Sequence, residues 1–174
     1  MTILIAGDSY SDASDAWNTC YERSVYRYSW VDLLQQDYKI QCVGQSGASN
    51  YDIAKQVWRA RGWTFLVVNL SHPLRASSYV PPPKCKDELK LNMKIAAYFA
   101  QKPNTICWTP FVGYESISEV HYQPLKRFNE MYNYKAAFNC TNHHFTQEGN
   151  DIFYRWIKDQ IEQKFSVALR AELE

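Results

Sequence analysis

Residues 2–12 read Thr2-Ile3-Leu4-Ile5-Ala6-Gly7-Asp8-Ser9-Tyr10-Ser11-Asp12. The run Thr2 to Ala6 is short and apolar, the pattern of a strand buried on both faces. It breaks at Gly7, and polar residues follow. A strand that ends in Gly-Asp-Ser sets a serine hydroxyl at the carboxyl edge of a parallel sheet, the edge at which open α/β folds bind ligands. The segments that follow say whether the sheet is parallel.

Working outward, apolar runs alternate in period. Tyr26 to Gln36, with Trp30, Val31, Leu33 and Leu34, reads as an amphipathic helix, and Tyr38 to Val43 as a second strand. Asn50 to Ala60 reads as a helix and Trp63 to Leu70, β-branched and aromatic, as a buried strand. Lys84 to Gln101 has helical spacing at Leu89, Met93, Ile95, Ala96 and Phe99. Thr105 to Thr109 is a further short strand. Thr146 to Lys164 is a long closing helix carrying Ile152, Phe153, Trp156, Ile157 and Ile161, and residues from about Phe165 onward read as a frayed tail. Strands separated by helices predict a mostly parallel sheet covered on both faces, a three-layer α/β/α sandwich. Residues 1–174 hold one core's worth of strands, so a single domain is expected and Pro81-Pro82-Pro83 is read as a stiff loop. The stretch Phe111 to Tyr134 predicts a loop with a short helix lying over the sheet edge. Its Tyr114, Tyr122 and Tyr132 suit the wall of a cleft that stacks on a sugar ring or an aryl ester.

A formal net charge of +1 over 174 residues offers no basic surface for nucleic acid and no electrostatic hold on a membrane. No apolar segment is long enough to span a bilayer, and the amino terminus lacks the basic and apolar regions of a signal peptide. Five cysteines at irregular spacing, with no C-x-x-C pair, fit reduced thiols and a cytoplasmic location.

Four places carry the candidate chemistry. Ser9 follows the first strand; a serine hydroxyl becomes a nucleophile once a base takes its proton, and otherwise serves as a helix or turn cap. The glycine loop Val43-Gly44-Gln45-Ser46-Gly47-Ala48-Ser49-Asn50 follows the second strand. Backbone N–H groups in such a turn suit an oxygen that becomes negative, with Gly47 the chosen donor, and the same glycine also suits a plain strand-to-helix turn capped by Asn50. It lacks the Gly-Lys-Ser/Thr ending of a phosphate loop. Third is Asn69-Leu70-Ser71-His72 at the end of the buried strand. Asn69 and Ser71, two apart in an extended chain, face one side and can donate into one cleft, while His72 faces elsewhere. Arg75 either clamps an acidic substrate or pairs with a local carboxylate. Asp8, Asn50 and Arg75 are the candidate substrate contacts. Fourth is His143-His144-Phe145-Thr146-Gln147-Glu148-Gly149, where a histidine just before the last helix is placed to act as base.

Together these blocks resemble the SGNH (GDSL-like) hydrolase family, from Ile3 to about Ile161, in the family's order and spacing. The resemblance rests on GDSYSD with Ser9, on Gly47 within Gln45-Ser46-Gly47-Ala48-Ser49, and on His144 followed by Thr146 and Gly149. It implies a flavodoxin-like α/β/α sandwich and hydrolysis of a small-molecule or carbohydrate acyl ester, with neither cofactor nor metal. Ser9 and His144 would be catalytic, and the Ser9 and Gly47 amides with Ser71 or Asn69 would hold the oxyanion. Two positions depart from the family. Its third block reads Gly-x-Asn-Asp where this chain has Asn69-Leu70-Ser71-His72, and Thr141 stands where the family has an aspartate three residues before the histidine. A protein on the same fold that binds or regulates without catalysis is the alternative these departures favour. A metal site from Cys140, His143 and His144 is disfavoured, since adjacent histidines diverge and no second Cys/His pair stands nearby. A flavin or nucleotide site lacks a phosphate fingerprint.

Overall fold

The computed structural model describes residues 1–8, 11, 28–73, 75, 85–110, 114, 116–117, 120–121 and 147–171. Ser9, Tyr122, Tyr132, Cys140, Thr141, His143, His144 and the Pro81–Pro83 loop lie outside them.

The four expected strands form: β1 (Thr2–Ala6), β2 (Lys39–Cys42), β3 (Phe65–Asn69) and β4 (Thr105–Trp108). A fifth, β5 (Val120–His121), lies within the stretch expected to be a loop with a helix. Strand order is β2-β1-β3-β4-β5, and every neighbouring pair is parallel. Ile3 lies opposite Ile40 on one side and Phe65 on the other. Four helices accompany the sheet: α1 (Trp30–Leu34), α2 (Asn50–Arg59), α3 (Cys85–Ala100) and α4 (Gln147–Ala171).

Local chemistry sets the helix starts. The Ser29 hydroxyl accepts from the Asp32 N–H while the Asp32 carboxylate accepts from the Ser29 N–H at 2.7 Å. Ser49 and Asp52 repeat this reciprocal box at α2. Each box satisfies two of the donors that a helix start leaves open. It is why α1 starts at Trp30 rather than at Tyr26, and why Ser49, not Asn50, caps α2.

Because side chains alternate along a strand, the sheet presents two apolar faces. Ile3, Ile5, Phe65, Val67, Ile106 and Trp108 pack against α1 and α4. Leu4, Ala6, Leu66, Val68 and Cys107 pack against α2 and α3. A parallel sheet with helices on both faces is thus in place, compatible with the three-layer arrangement expected. On the first face Phe153 sits 4.3 Å from the Trp108 ring centroid and 5.0 Å from that of Trp30. These three rings are buried, and aromatic burial on this scale is the largest single contribution a side chain makes to a core.

The frayed tail expected from about Phe165 is corrected. Helix α4 runs on to Ala171, and the Phe165 ring packs 5.1 Å from that of Phe65. Phe165 stands four residues after buried Ile161, on the same side of the helix. The expected apolar face of α3 also shifts: Leu89 is exposed, and buried Asn92 lies one turn before Ile95 and Ala96.

Helix α4 runs against the strands. Its Asn150 Oδ1 accepts from the Trp30 N–H at 2.9 Å, Phe153 meets Trp108 at the carboxyl end of β4, and Lys164 reaches Thr105 at the other end. Helices α2 and α3 also begin at the carboxyl edge, where Asn50 and Asn92 hold the chain beyond β3. Among the described residues no helix is long and apolar enough to cross a membrane.

Candidate functional site at the carboxyl edge

The sheet order reverses between β1 and β3, and the crevice outside their carboxyl ends is where open α/β sheets take ligands. Gly7, the residue after β1, is the hub of that crevice. Its N–H donates to Gln56 Oε1 on α2 at 3.2 Å, and its carbonyl accepts from the Gln45 N–H at 3.0 Å. A Cβ on Gly7 would lie 2.7 Å from both Asn69 Cβ and Ser11 Oγ. Only glycine lets β3's last residue and the chain after Asp8 close in this far.

The glycine loop hangs from that carbonyl. Ala48 N–H donates to Gln45 O at 3.1 Å, and Gly47 holds φ +78° at the turn's third position, where a left-handed backbone favours glycine. Gly47 is exposed. Ser49 then caps α2, so Asn50 falls in its first turn and faces inward.

Asn50 is fully buried and spent at both ends. Its Oδ1 accepts from the Ser71 N–H at 2.8 Å, and its Nδ2 donates to the Tyr114 hydroxyl at 2.5 Å. The Tyr114 hydroxyl in turn donates to Ser71 O at 2.6 Å. Burial pushes the Tyr114 phenol well above its ordinary range, with Cys107 and Asp8 adding to the rise and the Asn50 bond opposing it. The phenol therefore stays protonated and keeps donating. Asn50 and Tyr114 clamp the backbone on either side of Ser71. Tyr114, 1 % exposed, offers no face for stacking, which corrects its expected place in a cleft wall.

Asn69 and Ser71 are both fully buried. β3 ends at Asn69, so the pleat expected to aim the two side chains alike stops between them. Among the described residues, Asn69 Oδ1, Ser71 Oγ and Ser11 Oγ have no hydrogen-bond partner. A buried hydroxyl left in this state costs about 1–3 kcal/mol, and such groups call for an explanation. Thr109 Oγ1, donating to Leu70 O at 3.0 Å, shows a neighbouring hydroxyl that is satisfied.

Asp8 is a fully buried carboxylate, with Arg75 Nη1 3.6 Å from its Oδ2. Of the two roles expected for Arg75, this is the local pairing. It leaves the Arg75 side chain 34 % exposed at the crevice. Asn92 Nδ2 holds the loop that carries it, donating to Pro73 O at 2.6 Å. His72 is half-buried in the same loop. Around Gly7 the structure thus gathers Asp8, Arg75, Asn69, Ser71, Asn50 and the Gly47 turn. Asp8 is bonded directly to Ser9, and α4 begins three residues after His144. No family model matches the sequence, and no curated protein does.

Sequence reasoning missed three contributors, Gly7 as hub, Gln56 and Asn92, and gave Tyr114 a cleft-wall role instead of a clamping one. Asn92 had a readable signal, a polar residue at the spacing of an apolar helix face. Gln56 had none, and neither did the clamping role of Tyr114, since only the tertiary fold brings them to this edge.

Proposed function

We propose that the chain is a serine hydrolase of the SGNH (GDSL-like) type, on a flavodoxin-like sandwich, cleaving a small-molecule or carbohydrate acyl ester in the cytoplasm. The observation that carries the reading is the Ser71 hydroxyl. It is buried, without a partner among the described residues, and clamped through its backbone at the crevice where β1 delivers the chain to Ser9. Strand order β2-β1-β3-β4-β5, that of flavodoxin-like sheets, supports the fold side of the reading.

In the proposed reaction Ser9 Oγ attacks the ester carbonyl carbon as His144 takes its proton. The carbonyl oxygen becomes an oxyanion held by the Ser9 and Gly47 N–H groups and by Ser71, with Asn69 beside it. Collapse expels the alcohol, which takes the proton back from His144. Water then releases the acid from Ser9 by the same route. Thr141 stands where the family has the aspartate that steadies the imidazolium, and this departure favours a second reading, a binding protein on the same fold.

A fluorophosphonate probe separates the two. Attack by an activated serine displaces fluoride and adds the phosphonyl group, read as intact mass. Stoichiometric labelling lost in both Ser9→Ala and His144→Ala supports the hydrolase. A folded protein that stays unlabelled sinks it and leaves the binding protein.

A further inference from the structure

At the opposite, amino edge of the sheet lies a cavity of about 450 Å³, between the last turns of α2 and α3 and the chain entering β3 and β4. That size falls in the range of small-ligand sites. Leu66 is among its buried lining residues, Trp63 is half-buried, and Trp58 and Tyr98 stand at its rim 55 % and 48 % exposed. A single exposed ring is ordinary, but two that flank one cavity form an apolar patch with a shape.

The charge there has one sign. Arg61 and Lys102 line the cavity, and no carboxylate does among its described residues. Lys102 Nζ sits 4.5 Å from the Tyr98 ring centroid. Arg61 Nη1 donates to the Trp58 and Ala60 carbonyls, closing the end of α2 and fixing the guanidinium at the rim. Aromatic walls with two cations and, among the described lining residues, no carboxylate fit a flat ring that carries an anion.

We infer that this cavity is a binding site for a small aromatic anion of the aryl carboxylate class, its ring against Trp58, Trp63 and Tyr98 and its charge met by Lys102 and Arg61. The site lies at the far ends of the strands from Gly7 and is independent of the proposed hydrolysis.

The test is calorimetric titration of the full chain with 1-naphthoate and with neutral 1-naphthalenemethanol. One-to-one saturable binding of naphthoate is expected, roughly fivefold or more tighter than the alcohol, the scale of a part-exposed ion pair. Lys102→Met should weaken naphthoate by about that factor and leave the alcohol unchanged. Asn104→Trp, at an exposed lining position, should fill the cavity and abolish both, while Ser9→Ala should bind as the wild type does. Absence of saturable binding, equal affinity for the two ligands, or undiminished binding by a folded Asn104→Trp variant each overturns the site.

Discussion

The two ends of β3 sit in one strand and are treated in opposite ways. At the amino end the polar groups are answered. Thr64 Oγ1 accepts from the Thr2 N–H at 3.2 Å, Lys164 Nζ donates to Thr105 O at 2.6 Å, and Arg61 closes α2. At the carboxyl end Asn69, Ser71 and Ser11 each keep a buried polar atom without a partner among the described residues, around a glycine that admits no side chain. A fold that satisfies its polar groups at one edge has the means to do so at the other. Leaving them open at the edge where open α/β sheets take ligands is stability given up where function is expected.

The strongest way to break this contrast is Gly7→Ala. The new Cβ meets Asn69 Cβ at 2.7 Å and Ser11 Cβ at 2.9 Å, and both are fixed directly to the backbone. A loss of about 3 kcal/mol in chemical denaturation is expected, the upper end for an overpacked core. A cost below about 0.5 kcal/mol, the range of surface substitutions, would show that β1 and β3 are not held in the close approach described.

Asn50→Ala comes next. It strips the acceptor from the Ser71 N–H and the donor from Tyr114 in a buried setting. About 2 kcal/mol of stability should be lost, mostly as the cost of the groups left behind. The Tyr114→Phe, Asn50→Ala double variant sharpens the point. If the three residues act as one clamp, its loss falls short of the sum of the single losses; strict additivity would separate them.

What the sequence made legible follows the length and regularity of each signal. β1 was plain because Thr2–Ala6 is uninterrupted and apolar, and β3 because Phe65–Val68 is. β5 was not, since two residues among tyrosines and asparagines carry no period, and their pairing with β4 is purely tertiary. The Ser-x-x-Asp boxes at Ser29 and Ser49, passed over in the sequence reading, mark the helix starts more sharply than the apolar spacing it relied on. At the site, Asn69, Ser71 and Gly47 could be singled out because each lies at the carboxyl end of a strand or in the loop that follows it. The partners that fix them come from α2 and from the chain between β4 and β5, and nothing local in Gln56 or Tyr114 marks a contact across tens of residues.

At the satisfied end, Lys164→Met should cost about 1 kcal/mol, the net worth of one hydrogen bond. It also carries a pH signature. Burial holds the Lys164 ammonium below the ordinary lysine value of 10.5, so the unfolded chain binds this proton more tightly than the folded one. Stability from this group therefore rises with pH between the lowered value and 10.5. The wild type should gain on Lys164→Met across that window in paired denaturation curves. A constant gap would mean that the ammonium at β4's entry is not desolvated.

The smallest effect bears most directly on the contrast. Ser71→Ala removes a buried hydroxyl that bonds to nothing among the described residues and leaves the backbone clamp of Asn50 and Tyr114 untouched. Elsewhere in a core, deleting a serine hydroxyl loses a bond; here it relieves an unmet one, and a gain of about 0.5 kcal/mol is expected. Thr109→Val gives the internal control, because its hydroxyl donates to Leu70 O and its removal should cost stability. If the open hydroxyl is there for an oxyanion, the same Ser71→Ala variant should be labelled by the fluorophosphonate about a hundredfold more slowly, the scale of losing one such donor. More stable and less reactive together would tie the unmet hydroxyl to catalysis. A variant more stable and equally reactive would keep the packing contrast and remove Ser71 from the chemistry. A destabilised one would mean that the hydroxyl has a partner after all, and the two ends of β3 would differ less than their geometry indicates.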